Sequence, residues 1–229
     1  MEYLTYGQIR DKVERDLDLE EEQFIQPTEM LGYCNEAIDD VEAKIHTLYE
    51  DYFLANSPLP ITTGTSDYDL PSGIYANKIR DVVYAKGVLI YPIKRLPLIN
   101  KFVIGAEINQ QNTSLYYRYQ LHNPAGGKPK LRLYPPAKED HSTAVTIWYI
   151  RNAARMVDDN SICDIPEFVN YVIQHMKVRC YEKEGHPNLP KALADLKRLE
   201  DLMIETLSTM VPDNDNEVEP DLGHYEEHS

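Results

Sequence analysis

The chain is poor in several features that would have narrowed its role at once. Positive charge is the first: 23 Lys and Arg stand against 38 Asp and Glu, a net charge of -15. That balance argues against an electrostatic grip on a phosphate backbone, because nucleic-acid binders carry a basic footprint. Cysteine is scarce too. Cys34, Cys163 and Cys180 are odd in number and far apart, which fits reduced, packed thiols better than a disulfide framework. No apolar run approaches the roughly 20 residues a membrane-spanning helix needs, and the amino terminus MEYLTYGQIRDKVERD lacks the charged-then-apolar layout of a signal peptide. The expectation is synthesis in the cytoplasm and no membrane association. Phe and Trp number only 4 and 1, against 17 Tyr. What the chain does have is 229 residues, 42% of them hydrophobic, enough to bury a core in one large domain or two small ones.

Charge is unevenly spread. Residues 76–155 hold 13 Lys/Arg and 4 Asp/Glu, a local net of +9, while the remainder holds 10 and 34, a net of -24. Such a split suggests a domain boundary, and in an assembly it lets the basic part of one subunit meet an acidic part of another.

The longest periodic stretch runs from Thr28 to Leu54, where Leu31, Cys34, Ile38, Val41, Ile45, Leu48 and Tyr52 recur three and four apart as a helical seam. Glu29, Glu36, Asp39, Asp40, Glu42 and Glu50 fall between them, predicting a charged outer face. Thr28 is the expected N-cap. Before this helix, Thr5-Tyr6-Gly7-Gln8 reads as a capping box opening a short helix with Ile9, Val13 and Leu17 on one face and an end near Leu19. Asn56-Ser57-Pro58-Leu59-Pro60 closes the helical region.

Beyond that boundary the period becomes two. Strands are expected at Leu59 to Thr63, Ser66 to Leu70, Ile79 to Tyr84, Val88 to Ile93, Ser114 to Leu121, Lys130 to Tyr134 and Thr143 to Arg151. The clearest pair is Leu115 to Leu121 with Lys130 to Tyr134, joined by the turn-rich Asn123 to Pro129, with Leu131 and Leu133 facing in and Arg132 out. Val145, Ile147 and Tyr149 alternate with Ala144, Thr146, Trp148 and Ile150, so the last strand is expected to be covered on both sides. Tyr84, Tyr91, Tyr116, Tyr117, Tyr119, Tyr134 and Tyr149 in this segment suit cross-strand packing or a protein interface.

The helical period resumes at Asp164-Ile165-Pro166-Glu167, with Asp164 expected at the cap and Glu167 reaching back. Phe168, Val172, Met176 and Cys180 form one face, Gly185-His186-Pro187 breaks the helix, and a last helix from Leu189 carries Leu193, Leu196, Leu199, Met203, Leu207 and Met210. After Pro212 the tail is acidic and aperiodic, and alone it is expected to be disordered. Val218, Leu222 and Tyr225 interrupt its acids with apolar anchors, leaving open a solvated terminus or a docking peptide.

No chemistry announces itself. Asp213 and Asp215 alternate as in a calcium loop, but Val218 stands where that loop requires Gly and no Glu closes it. His175, Cys180 and His186 lack paired metal-ligand spacing. Gly126-Gly127-Lys128 lacks the phosphate-loop spacing and lies between strands. Ser, His and Asp residues occur in no recognisable nucleophile context. The expectation is a protein that is not an enzyme and has no cofactor, catalytic or metal site. The fold class expected is α+β: a discontinuous helical bundle from residues 1–57 and 156–211, an inserted antiparallel β domain, small barrel or sandwich, over 58–155, and a flexible acidic tail over 212–229.

The order of Ser66-Asp67-Tyr68-Asp69-Leu70-Pro71, Ile79-Arg80-Asp81-Val82-Val83-Tyr84, Leu131-Arg132-Leu133-Tyr134-Pro135-Pro136-Ala137, Trp148-Tyr149-Ile150-Arg151 and Asp164-Ile165-Pro166-Glu167-Phe168 between paired helices resembles the head-to-tail adaptor (connector) proteins of tailed bacteriophages. The resemblance covers the chain to about Met210. It implies a helical bundle holding a β insertion, assembled as a twelve-fold ring between the portal protein and the tail or nozzle proteins, in the neck of the virion. It also implies portal docking by the segment with Val218, Leu222 and Tyr225, and a channel through which DNA passes without specific binding. The other readings open at this point are a cellular protein-binding or chaperone-like module and a hydrolase whose site is not visible in the sequence.

Overall fold

The computed structural model describes residues 3–18, 24–86, 88–96, 117–125 and 127–210. Two compact units emerge, Met1–Tyr52 with Arg155–Ser229, and Phe53–Ala154. The first is therefore assembled from both ends of the chain.

In the first unit, α1 (Tyr6–Leu17) opens with the expected capping box: Thr5 accepts from the Gln8 N–H and the Gln8 side chain accepts from the Thr5 N–H. The helix stops at Leu17, two residues before the expected end, because Asp18 takes the left-handed conformation. Its amino end is finished by a distant segment. Tyr6 and Gly7 donate to the carbonyls of Ser161 and Asp159, and Thr5 bridges to Ile162. A side chain at Gly7 would meet the Asp159 carbonyl at 3.2 Å, so glycine is what permits this approach.

Helix α2 (Pro27–Leu48) is capped by Gln26, not Thr28. Pro27 supplies a preset φ at the first helical position, and Glu29 closes back on the Gln26 N–H at 2.8 Å. The helix also ends earlier than its periodicity predicts, at Leu48, because a 3-10 turn at Glu50–Phe53 follows and β1 begins at Leu54. The remaining helices are α3 (Val169–Glu184) and α4 (Leu189–Thr209). Helix α3 touches α1, α2 and α4. Asp164 does not cap it: a 3-10 turn at Pro166–Phe168 precedes the helix and neither start has a side-chain cap bond. Glu167 instead accepts from the Tyr52 hydroxyl. Gly185, at φ 67°, ends α3 as expected.

The second unit contains two four-stranded sheets, β1-β8-β3-β4 and β2-β7-β6-β5. The strands are β1 (Leu54–Ile61), β2 (Asp67–Asp69), β3 (Ile74–Lys86), β4 (Leu89–Pro92), β5 (Lys94–Arg95), β6 (Arg118–His122), β7 (Lys130–Tyr134) and β8 (His141–Arg151). Neither sheet closes into a barrel among the described residues, and the second is mixed rather than antiparallel because β5 runs parallel to β6. Strand β1 starts five residues earlier than expected and so takes in Pro58 as well as Pro60, which already falls in the expected strand. Proline cannot donate to a ladder, but β1 is an edge strand with β8 on one side only, where that loss is tolerated. The β6–β7 pair has the expected antiparallel register, Tyr119 opposite Leu133 and Leu121 opposite Leu131. The amino-terminal part of the strand expected there, Ser114 to Tyr116, lies outside the described residues.

Tyr84, Tyr117, Leu131, Leu133, Val145 and Ile147 form the centre of one core drawing on both sheets. Of the tyrosines singled out, Tyr84, Tyr117, Tyr119 and Tyr149 are buried and Tyr91 and Tyr134 half-buried; Tyr116 is outside the described residues. Burial of both faces of β8 is incomplete: Ala144 and Ile150 are covered, whereas Trp148 between them is exposed.

Candidate interaction surfaces

The helical seam sorts unevenly in the folded chain. Cys34, Ile38, Val41 and Ile45 are fully buried, Leu31 is half-buried, Leu48 is exposed, and Tyr52 sits in the 3-10 turn. Met30 and Ala37 complete the covered stripe. The partner stripe of Phe168, Val172, Met176 and Cys180 is buried throughout, whereas Leu193 at the start of α4 is exposed. Cys180 lies 3.8 Å from the Met30 sulfur, and burial pushes the Cys34 and Cys180 thiols up to about 12. All three cysteines are free and buried.

The charged face of α2 is not simply solvated. Glu42 is buried with His46 beside it at 3.4 Å. Asp40 accepts from the Tyr171 hydroxyl and from Lys44 at 2.5 Å. Burial alone would raise the Asp40 carboxyl, but those hydrogen bonds hold it below its ordinary value. Helix α3 answers the acids of α1 and α2 with bases: Lys177 reaches Asp16 at 2.5 Å, Arg179 reaches Glu36 at 3.0 Å and Lys183 reaches Glu29 at 2.6 Å. These three pairs cross between helices and so favour one register, though each is partly exposed and contributes little alone.

An apolar groove opens between the amino end of α3 and the second half of α4, lined by Phe168, Tyr171, Leu199, Leu202 and Met203. Leu202 on its rim is 47% exposed. His175 is half-buried, and the partial burial lowers its basicity. His186 stacks on Tyr181, with ring centroids 4.5 Å apart. No group of His, Cys, Asp and Glu suited to a metal occurs among the described residues. Val218, Leu222 and Tyr225, with Asp213 and Asp215, lie outside the described residues.

In the second unit the outward face of the sheet β2-β7-β6-β5 is polar. Asp67 takes two hydrogen bonds from Arg132, at 2.5 and 2.6 Å, and one contact from His122 at 3.1 Å. Those bonds hold the Asp67 carboxyl down at about 2. Lys130 pairs with Asp69 at 3.1 Å. The local excess of Lys and Arg pointed to this segment, but not to this face, because β5 carries too few residues to show a period and its parallel partner is distant in sequence.

No helix among the described residues is long and apolar enough to cross a membrane. The family model described as SU10 adaptor protein matches residues 4–217. Among curated proteins, none matches the chain.

Proposed function

The chain belongs to the SU10 adaptor protein family, a family of phage head-to-tail adaptors, and on that ground we propose that it assembles as a ring, of twelve copies, between the portal protein and the tail or nozzle proteins. Members of such a family are structural parts of the virion, and we assign this chain no catalytic step. The observation that carries the reading is the extent of the match: residues 4–217 take in all the described helices and strands of both units.

In this reading the ring forms part of the DNA exit channel in the virion neck, and DNA passes without specific binding. The net charge of -15 supports that role, since like charge repels phosphates and prevents adhesion during passage. The tail bearing Val218, Leu222 and Tyr225 docks on the portal. These three residues lie past the end of the family match, so this part rests on the pattern of apolar anchors within an acidic segment.

The test is to mix the chain with the portal protein of its phage and follow mass and shape, by native mass measurement and electron microscopy. Ring-shaped complexes with several copies of the chain on one portal are expected. A chain that stays monomeric and ignores the portal would overturn the proposal.

A further inference from the structure

Helix α4 carries a wider apolar arc than its own unit covers. Its buried residues are Ala192, Met203 and Leu207, whereas Leu202 and Ile204 are exposed. At roughly 100° per residue these two project about 200° apart around the helix, so they stand on opposite flanks of the covered stripe. Leu202 lines the groove against α3, beside Phe168, Tyr171 and Leu199. Ile204 stands on the α2 side. Helix α3 is antiparallel to α2, because Lys183 meets Glu29 and Tyr171 meets Asp40. It is also antiparallel to α4, because Gln174 meets Ala192 and Phe168 shares the groove with Met203. Helices α2 and α4 are therefore parallel, and Lys44 joins Glu200 between them at 3.4 Å. One turn beyond that pair come Leu48 and Ile204, both exposed, which make an apolar ridge across the two helices.

The two flanks are complementary in charge. Asp195 and Arg198 lie on the groove flank and have no ion-pair partner among the described residues. Lys197 and Asp201, 3.1 Å apart, lie on the ridge flank. Each ridge residue is two or three positions past a groove residue that suits it: Lys197 past Asp195, Asp201 past Arg198, Ile204 past Leu202. A single offset of about 3–5 Å along the axis brings all three pairs together between two parallel α4 helices set side by side. A second copy of the chain supplies that spacing, those charges and the matching apolar contact at once. Copies in a closed ring are related by rotation, so helices along the axis stay parallel, and in a wide ring the two contacts of each copy face nearly opposite ways. The flanks of α4 do so.

We propose that α4 is the contact between copies, with the Leu48–Ile204 ridge of one seated in the Leu199–Leu202 groove of the next and Lys197 and Asp201 meeting its Asp195 and Arg198. The inference rests on the ring reading for its partner and names where neighbouring copies touch. Because groove and ridge are different surfaces, the contact is head-to-tail, and every copy gives one and takes one.

The test is complementation in the full chain without portal, followed by sedimentation velocity and native mass measurement. The unsubstituted chain should form species larger than a monomer. Leu202→Arg spoils the groove and Ile204→Arg the ridge, so each variant alone should lose every species above the monomer. Mixed in equal amounts, the two should recover a dimer and nothing larger, because one intact ridge meets one intact groove and no further intact surface remains. Should either variant lose its helical circular dichroism, Leu202→Gln and Ile204→Gln take their place and should weaken association at least about tenfold. Self-association that persists unchanged in either variant would overturn the proposal, as would a mixture that stays monomeric. An unsubstituted chain that is monomeric throughout would overturn it too. The ring reading is separable from these outcomes, since rings formed on the portal by the Leu202 or Ile204 variants would uphold it and place the contact elsewhere.

Discussion

The side-chain amide of Asn35 closes two hydrogen bonds with the backbone of Met156: Nδ2 donates to the Met156 carbonyl at 3.0 Å, and Oδ1 accepts from the Met156 N–H at 2.9 Å. Arg155 reinforces the contact, donating to the Asn35 carbonyl at 3.1 Å and pairing with Asp39. Met156 lies just past the last residue of the β unit, in a segment with no regular structure to satisfy its backbone. Asn35 supplies from α2 what a neighbouring strand would otherwise supply.

Asn35→Ala should therefore destabilise the helical unit by about 1–3 kcal/mol, the cost of leaving a largely buried donor and acceptor without partners. Urea unfolding followed by circular dichroism measures it. A midpoint within error of the unsubstituted chain would show that water replaces the amide at no cost.

The buried half of the α2 seam should be intolerant of charge. Ile38 and Ile45 are both wholly buried, and a carboxylate at either has no cationic partner to offset its desolvation. Ile38→Asp with Ile45→Asp should leave no folded helical unit, seen as loss of the cooperative helical melting transition. A folded chain that had merely lost the ability to self-associate would mean the seam faces a neighbouring subunit.

Acid should weaken the second sheet through Asp67. Its carboxyl is held at about 2, below the roughly 3.9 of an unfolded chain. A group with a depressed folded value stabilises fully above the unfolded value and loses that contribution as pH falls through the folded one. The loss should run from about pH 4 to about pH 2. Half-exposure of the pair keeps the effect modest. Carboxyl chemical shifts should place the Asp67 titration there, and in Asp67→Asn that step of the stability curve should disappear, although His122 and Arg132 still face the position.

Deleting residues 212–229 should weaken binding to the portal at least about tenfold, consistent with loss of 1.4 kcal/mol or more, while the helical circular dichroism spectrum is retained. Surface-immobilised portal and the two chains compared side by side provide the measurement. Undiminished binding would remove Val218, Leu222 and Tyr225 from the docking reading.

Local rules in the sequence determined a good deal of this protein. The Thr5–Gln8 capping box, the buried face of Phe168 to Cys180, the stop at Gly185, and the β6–β7 pairing with Leu131 and Leu133 inside all followed from interactions within a few residues or from strict alternation. The order of short motifs was enough to indicate the adaptor family. Other features depended on partners far away in the chain. Pro58 joined a strand because β8 lies on only one side of β1. Glu42 went inside although its position in the repeat predicted exposure. The two-residue β5 formed only because β6 lay beside it in parallel. Periodicity reports which face of an element is apolar, whereas edge position, register and the pairing of charges depend on what the fold places next to that face, and only the tertiary structure decides that.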